Sequence, residues 1–234
     1  VSLSSNGSTV AIGAMYNAGN GTDAGQVRVY ENISGTWTQI GSDIDGEAAG
    51  DQSGTSVALS SDGSIVAIGA HYNDGNGTSA GHVRVYENVS GTWTQIGSDI
   101  DGEAAGDVSG NDVSFNSSGT TVAIGSPRNS GNGTDAGHVR VYENVSGAWT
   151  QMGSDIDGEA AGDQFGHSIS LSSNGDTIAI GGHANDGNGT DAGHVRIYKS
   201  VSGTWTQMGS DIDGEAAGDQ SGGSVSLSSD GSTV

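Results

Sequence analysis

Apolar residues in this chain alternate with small polar ones in short runs, and no window carries a convincing helical period. Four runs stand out in the first 40 residues: Val1 to Ser4, Thr9 to Ala14, Gln26 to Tyr30 and Thr36 to Ile40. Alternation with β-branched and aromatic residues is the signal for half-buried strands. In the third run Val27 and Val29 share one face, while Arg28 and Tyr30 share the other. Asn6-Gly7 and Ser34-Gly35 supply tight turns, because glycine accepts positive φ. Two longer connections remain, around Asn17 to Gly25 and from Ser42 to Gly54. The only helical hint is Glu47-Ala48-Ala49, enough for a single turn.

The same text then repeats. Val1, Val57, Val113, Ile169 and Val225 each begin a near copy at a constant spacing of 56, and Gly35 to Asp51 recurs letter for letter as Gly91 to Asp107. The chain reads as one repeat domain, 1–234, with units 1–56, 57–112, 113–168 and 169–224 and a partial fifth unit, 225–234. No linker or shift in composition divides it. A four-stranded sheet this short cannot bury both its faces alone, so neighbouring units must stack and share a core. The expected fold is all-β: tandem four-stranded antiparallel blades in a β-propeller, or in a partial or open propeller array. An open β-solenoid and a sandwich are the alternatives. The repeated ending suggests a piece of a longer array, or a fifth blade completed by another chain.

Composition narrows the partners. Against 28 acidic residues stand only 6 Lys and Arg, a net charge of -22 with a pI near 4.1. That excludes a basic face for nucleic acid and argues against an anionic membrane surface. No apolar run is long enough for membrane insertion. The absence of cysteine removes disulfides, thiol catalysis and thiolate metal sites.

The fourth unit reads Gly162-Asp163-Gln164-Phe165-Gly166-His167-Ser168-Ile169-Ser170-Leu171, followed by Ile178-Ala179-Ile180-Gly181. This resembles the FG-GAP repeat, the blade unit of integrin α-subunit propellers and of many bacterial and algal surface proteins. Phe165-Gly166 matches the first half of that motif, and Val122 to Pro127 comes close to the second. Gly25 to Tyr30 and its copies resemble the family's third strand. The resemblance runs the length of the chain and implies a propeller blade more than an activity. Ser53, Ser109 and Ser221 replace the Phe; Met15, His71 and His183 replace the Pro. Calcium-binding members carry an Asp-rich loop between the first two strands. Here that turn is only Ser4-Ser5-Asn6-Gly7 and its copies, so that calcium site does not carry over.

The strongest polar constellation lies elsewhere, in the second long loop. Asp43, Asp45, Glu47 and Asp51 recur as Asp99, Asp101, Glu103 and Asp107, as Asp155, Asp157, Glu159 and Asp163, and as Asp211, Asp213, Glu215 and Asp219. These account for 16 of the 28 acidic residues. Carboxylates at alternate positions of a Gly-containing loop can converge on a hard cation such as calcium; the competing reading is a solvated acidic loop. Calcium is therefore a candidate ligand, and no cofactor is required. The loop around Asn73-Asp74-Gly75 is a weaker candidate, since its acidic position becomes Ala18 and Ser130 elsewhere. Both long loops leave the same end of each blade, which should be strongly negative and is the expected binding face.

Arg28, Arg84, Arg140 and Arg196 form the one basic column, either a guanidinium ring for a carboxylate or, as favoured here, ion pairs holding blade on blade. His82, His138 and His194 form another column and, a blade apart, are too distant to share a metal. Trp37, Trp93, Trp149 and Trp205 read as inter-blade core, with ligand stacking as the alternative. Asn32, Asn88 and Asn144 are candidate glycosylation sites beside a hairpin turn. No nucleophile elbow, phosphate loop or zinc motif is present. The sequence thus points to a non-enzymatic extracellular or cell-surface protein with an adhesive or structural, filament-forming role. The alternative is a lectin-like, calcium-dependent module for surface glycans or proteins. Self-association, or association with neighbouring repeats, is the expected partnership.

Overall fold

A computed structural model describes all 234 residues, and its regular structure is entirely β. In the first unit the strands are β1 (Ser2–Leu3), β2 (Thr9–Gly13), β3 (Gln26–Ile33), β4 (Thr36–Gln39) and β5 (Ile44–Asp45). They form one antiparallel sheet in the order β1-β2-β3-β4, with β5 also paired to β3. Three further sheets repeat this arrangement down the chain.

Each unit thus holds a fifth strand that alternation did not reveal. β3 is eight residues long, and β4 covers only its far half, from Tyr30↔Gln39 to Ile33↔Thr36. Gly41, at φ 70, turns the chain back so that Ile44 and Asp45 pair with Val27 and Gln26 on the uncovered half. Part of the acidic loop is therefore ladder. The β3–β4 turn has Ser34 at φ 53 and Gly35 at φ 90, the two positive values of a type I′ hairpin.

The core lies between sheets. One cluster joins Ala11, Val27, Val29 and Ile44 of the first sheet to Leu59, Val66, Ile68 and Tyr86 of the second. The same positions, moved on by 56 and 112, build the next two clusters. Val27 and Val29 thus face the following blade, and the Tyr of each inner blade faces the preceding one. Both faces of a thin sheet are buried only because sheets stack.

Backbone bonds run from blade to blade with the same period. Ser5 N donates to Ser61 O, Ser61 N to Ser117 O, Ser117 N to Ser173 O and Ser173 N to Ser229 O, all at 2.8–2.9 Å. Glycine permits the closest approach, where β2 ends. A Cβ at Gly69 would lie 2.1 Å from the carbonyl oxygen of Gly110, and at Gly125 it would lie 2.0 Å from that of Gly166.

Candidate metal-binding site

The four carboxylates of one acidic loop do not gather on one centre. Asp51 is buried and closes its own turn, its Oδ2 accepting from Ala48 N at 3.0 Å and from Asn73 Nδ2 of the next blade at 3.1 Å. Asp107 repeats this with Ala104 and Asn129, while Asp163 and Asp219 accept from Ala160 N and Ala216 N. Asp45 lies on β5 opposite Gln26, and Asp101, Asp157 and Asp213 lie opposite His82, His138 and His194. Asp43 accepts from Gln39 Nε2 at 2.6 Å and Arg28 Nε at 3.1 Å, and Asp99, Asp155 and Asp211 accept from Gln95, Gln151 and Gln207.

Ligand-like groups come together across the seam between blades instead. Glu47 of the first blade reaches His82 and Asp99 of the second; Glu103 reaches His138 and Asp155; Glu159 reaches His194 and Asp211. In each trio one ligand atom from every residue lies within 4.8 Å of the others. His82 Nδ1 is 3.7 Å from Asp99 Oδ2 and 4.0 Å from Glu47 Oε2. The later trios have nearly the same spacing, 3.8 and 3.9 Å at His138 and 3.7 and 3.9 Å at His194. Such gaps are too long for hydrogen bonds but suit oxygen and nitrogen donors about 2.0–2.2 Å from a shared ion.

Arg84 Nη1 lies 3.4 Å from Glu47 Oε1 of the preceding blade, and its Nη2 donates to Asp45 O at 2.8 Å. Arg140 repeats both contacts with Glu103 and Asp101. Arg196 instead bridges Glu159 and Asp211. The Arg column therefore ties blade to blade and neutralises part of the carboxylate charge a cation would meet. Arg28 pairs with Asp43 in its own sheet, the contact that Arg196 also makes to Asp211.

The histidines are buried, and the Nε2 atoms of His82 and His138 and both ring nitrogens of His194 have no hydrogen-bond partner. Burial, reinforced by the neighbouring Arg, holds all three imidazoles below the usual histidine range, His138 at about 4. A neutral imidazole whose Nδ1 faces two carboxylates without a hydrogen bond to either is a fitting nitrogen-oxygen donor set for a divalent metal. Separation by a whole blade does keep these histidines from sharing one ion, but each is completed by carboxylates from two blades. Only the fixed 56-residue register contained that signal. Glu215 has no histidine after it, and Gln26 replaces the histidine in the first blade.

Trp93, Trp149 and Trp205 pack against the preceding blade and donate Nε1–H to Ile40 O, Ile96 O and Met152 O at 2.9–3.0 Å. Trp37 has no such neighbour and is 45% exposed. Asn32, Asn88 and Asn144 use Oδ1 to accept from the turn glycines Gly35, Gly91 and Gly147. No helix is long and apolar enough to cross a membrane.

The fold is shared with solved lactonases. The chain is 15% identical to the periplasmic gluconolactonase PpgL of Pseudomonas aeruginosa, with a TM-score of 0.60 over 91% of this chain and 56% of that one. It is 12% identical to a putative 6-phosphogluconolactonase from Bacteroides uniformis, with a TM-score of 0.56 over 88% of this chain and 55% of that one. The chain therefore spans a little over half the length of either. No curated protein matches it in sequence. These likenesses show the fold, and they correct the expectation of a non-enzymatic, adhesive, structural or lectin-like cell-surface protein. Stacked blades had suggested a scaffold, yet the same architecture carries proteins named as lactone hydrolases, so the inference from repeat to adhesion fails. The matched family segments, 43–86 and 155–198, begin at Asp43 and Asp155 and run through Glu47, His82 and Arg84 and through Glu159, His194 and Arg196. At those two places the chain carries the FG-GAP repeat.

Proposed function

We propose that the chain is the blade scaffold of a metal-assisted hydrolase acting on a sugar lactone. The observation that carries this reading is the trio of a buried neutral histidine and two partly exposed carboxylates, built three times across blade seams. His82, Glu47 and Asp99, with their counterparts, would hold the ion. The imidazole nitrogen favours a first-row transition metal over calcium, which takes six to eight oxygens. When bound, such an ion polarises an ester carbonyl and lowers the pKa of water.

The protein's own groups supply the rest. Glu47, about half exposed, faces both solvent and the seam, where a carboxylate can accept the proton of an attacking water. Arg84 beside it offers positive charge to the oxyanion that forms as the ester carbonyl is attacked. His82 is fixed by burial and presents Nδ1 to both carboxylates. The names of the two solved neighbours support the substrate class, and the periplasmic one supports a place outside the cytoplasm.

The test is proton release from glucono-1,5-lactone by the purified chain, with zinc, manganese, calcium or EDTA. Hydrolysis above the spontaneous rate that needs a transition metal, and is lost in Glu47→Gln/Glu103→Gln/Glu159→Gln, is expected. A rate equal to buffer with every ion would overturn the reading.

A further inference from the structure

The three Glu-His-Asp trios differ behind their histidines. Phe165 is fully buried and stands edge-on to His194, with ring centroids 5.8 Å apart. Gly182 pairs opposite His194, and a Cβ added there would lie 2.9 Å from His194 Nε2 and 3.3 Å from Phe165 Cδ2. An aromatic ring therefore fills the side of His194 that bears Nε2, the nitrogen turned from the carboxylates.

The other two trios have hydroxyls in that place. Ser53 and Ser109 precede His82 and His138 by the same 29 positions that separate Phe165 from His194. Their backbones are held alike, in parallel bridges of Ser53 to Gly25, Ser109 to Gly81 and Phe165 to Gly137. Ala70 and Ser126 take the place of Gly182 opposite the two histidines. Ser53, Ser109 and Ser126 are 0% exposed, and none of their hydroxyls has a hydrogen-bond partner; nor has Nε2 of His82 or His138. A buried polar atom left unpaired is costly. Two or three of them around one small space suit a buried water, which typically makes about three bonds.

We propose that an ordered water joins Nε2 of His82 to Ser53 Oγ, and Nε2 of His138 to Ser109 Oγ. The two serines thereby position these imidazoles for a metal ion, and the His194 trio binds the most weakly of the three. This rests on reading the trios as metal sites. A neutral imidazole carries one ring proton, and the bond made by one nitrogen sets the state of the other. Two carboxylates draw that proton to Nδ1, whereas an ion held at Nδ1 requires it on Nε2. Behind His82 and His138 the Nε2–H then donates to the water, which the serine hydroxyl holds in place. Behind His194 the Phe165 ring offers no such acceptor, so the buried N–H goes unpaired. Arg196 acts in the same direction. It hydrogen-bonds both Glu159 and Asp211, and Asn185 Nδ2 donates to Glu159 Oε1 at 3.0 Å, whereas Arg84 and Arg140 pair with the Glu alone.

Calorimetric titration of the full chain with zinc tests this, beside the variant Ser53→Ala/Ser109→Ala. The parent should bind two ions alike and a third about 10–100-fold more weakly. In the variant the two tight sites should weaken by about 10–100-fold while the third holds. Arg196 alone would give the parent's ranking, so the variant is what isolates the serines. Histidine nitrogen NMR of the zinc-loaded parent should show slowly exchanging Nε2 protons on His82 and His138. Those two signals should shift or vanish in the variant while that of His194 stays, a change that lost packing alone would not produce. Three equal affinities in the parent, or a variant that titrates like the parent, would overturn this inference alone. No zinc bound by the parent would overturn it together with the metal sites themselves.

Discussion

Asp112 offers a direct test of how tightly the seams are packed. Its column holds Ser56, Ser168 and Ser224 in the other units. Ser56 and Ser168 each donate Oγ–H to a glycine carbonyl, of Gly110 and Gly222, at 2.7 Å. Asp112 instead accepts from Ile169 N at 2.8 Å and Val113 N at 3.0 Å, and burial raises its carboxyl from 3.8 to about 6 despite those bonds. A carboxyl raised in the folded state binds its proton more tightly there than in the unfolded chain. Its stabilisation is therefore complete at low pH and is lost as pH rises through about 6. The full shift is worth about 3 kcal/mol. Because the chain is nearly uncharged near its pI of 4.1, the acid arm is best set at pH 5. Between pH 5 and pH 8 the two titration curves separate by a further unit or so, on the order of 1 kcal/mol. Asp112→Ser restores the column's residue and removes the titration. Urea unfolding of both proteins should show the variant gaining on the order of 1 kcal/mol relative to the parent on going from pH 5 to pH 8. The other carboxylates cancel in that double difference. An unchanged difference at the two pH values, or one that moves the other way, would refute the reasoning.

Other seams make sharper mechanical predictions. Phe165 is fully buried where Ser53, Ser109 and Ser221 stand in the other units, so Phe165→Ser should lose about 3–5 kcal/mol in urea unfolding; a loss below about 1 would contradict its place in the core. Gly69→Ala sets a methyl 2.1 Å from the backbone carbonyl oxygen of Gly110 and 2.2 Å from Ser56 Oγ, and the backbone cannot yield as a side chain can. It should cost about 1–3 kcal/mol in thermal unfolding, and a neutral result would mean the backbones do not meet there. Since each Glu-His-Asp trio spans two blades, a bound divalent ion should raise the melting temperature, by about 2.7 kcal/mol of stability at a hundredfold excess over Kd. EDTA should reverse the rise, and no shift with any ion would argue against a cation at the seams.

The fold was legible because its determinants are local and repeated. Alternation at Val27 and Val29 and the turn residues Ser34 and Gly35 located strands and hairpins, and the 56-residue register required stacking. β5 escaped notice because two residues, Ile44 and Asp45, are too few for alternation to register, and their pairing depends on the half of β3 that β4 leaves free. The site was legible only in part. Glu47 and Asp99 were among the loop carboxylates singled out, but grouping each loop's acids hid their partnership, which lies across the seam with His82 between them. Asp51 was an equally good ligand on paper; the structure turns it inward to cap a turn. Arg84, by contrast, followed from sequence, since a lone cation among valines in an acidic chain must find a carboxylate.

The most direct test of the account is equilibrium dialysis of the full chain against zinc or manganese, with bound metal counted per chain. Three ions per chain are predicted, one for each trio, falling to none in His82→Gln/His138→Gln/His194→Gln with the fold intact by circular dichroism. No bound metal in the parent, or the same metal content in the variant, would contradict it.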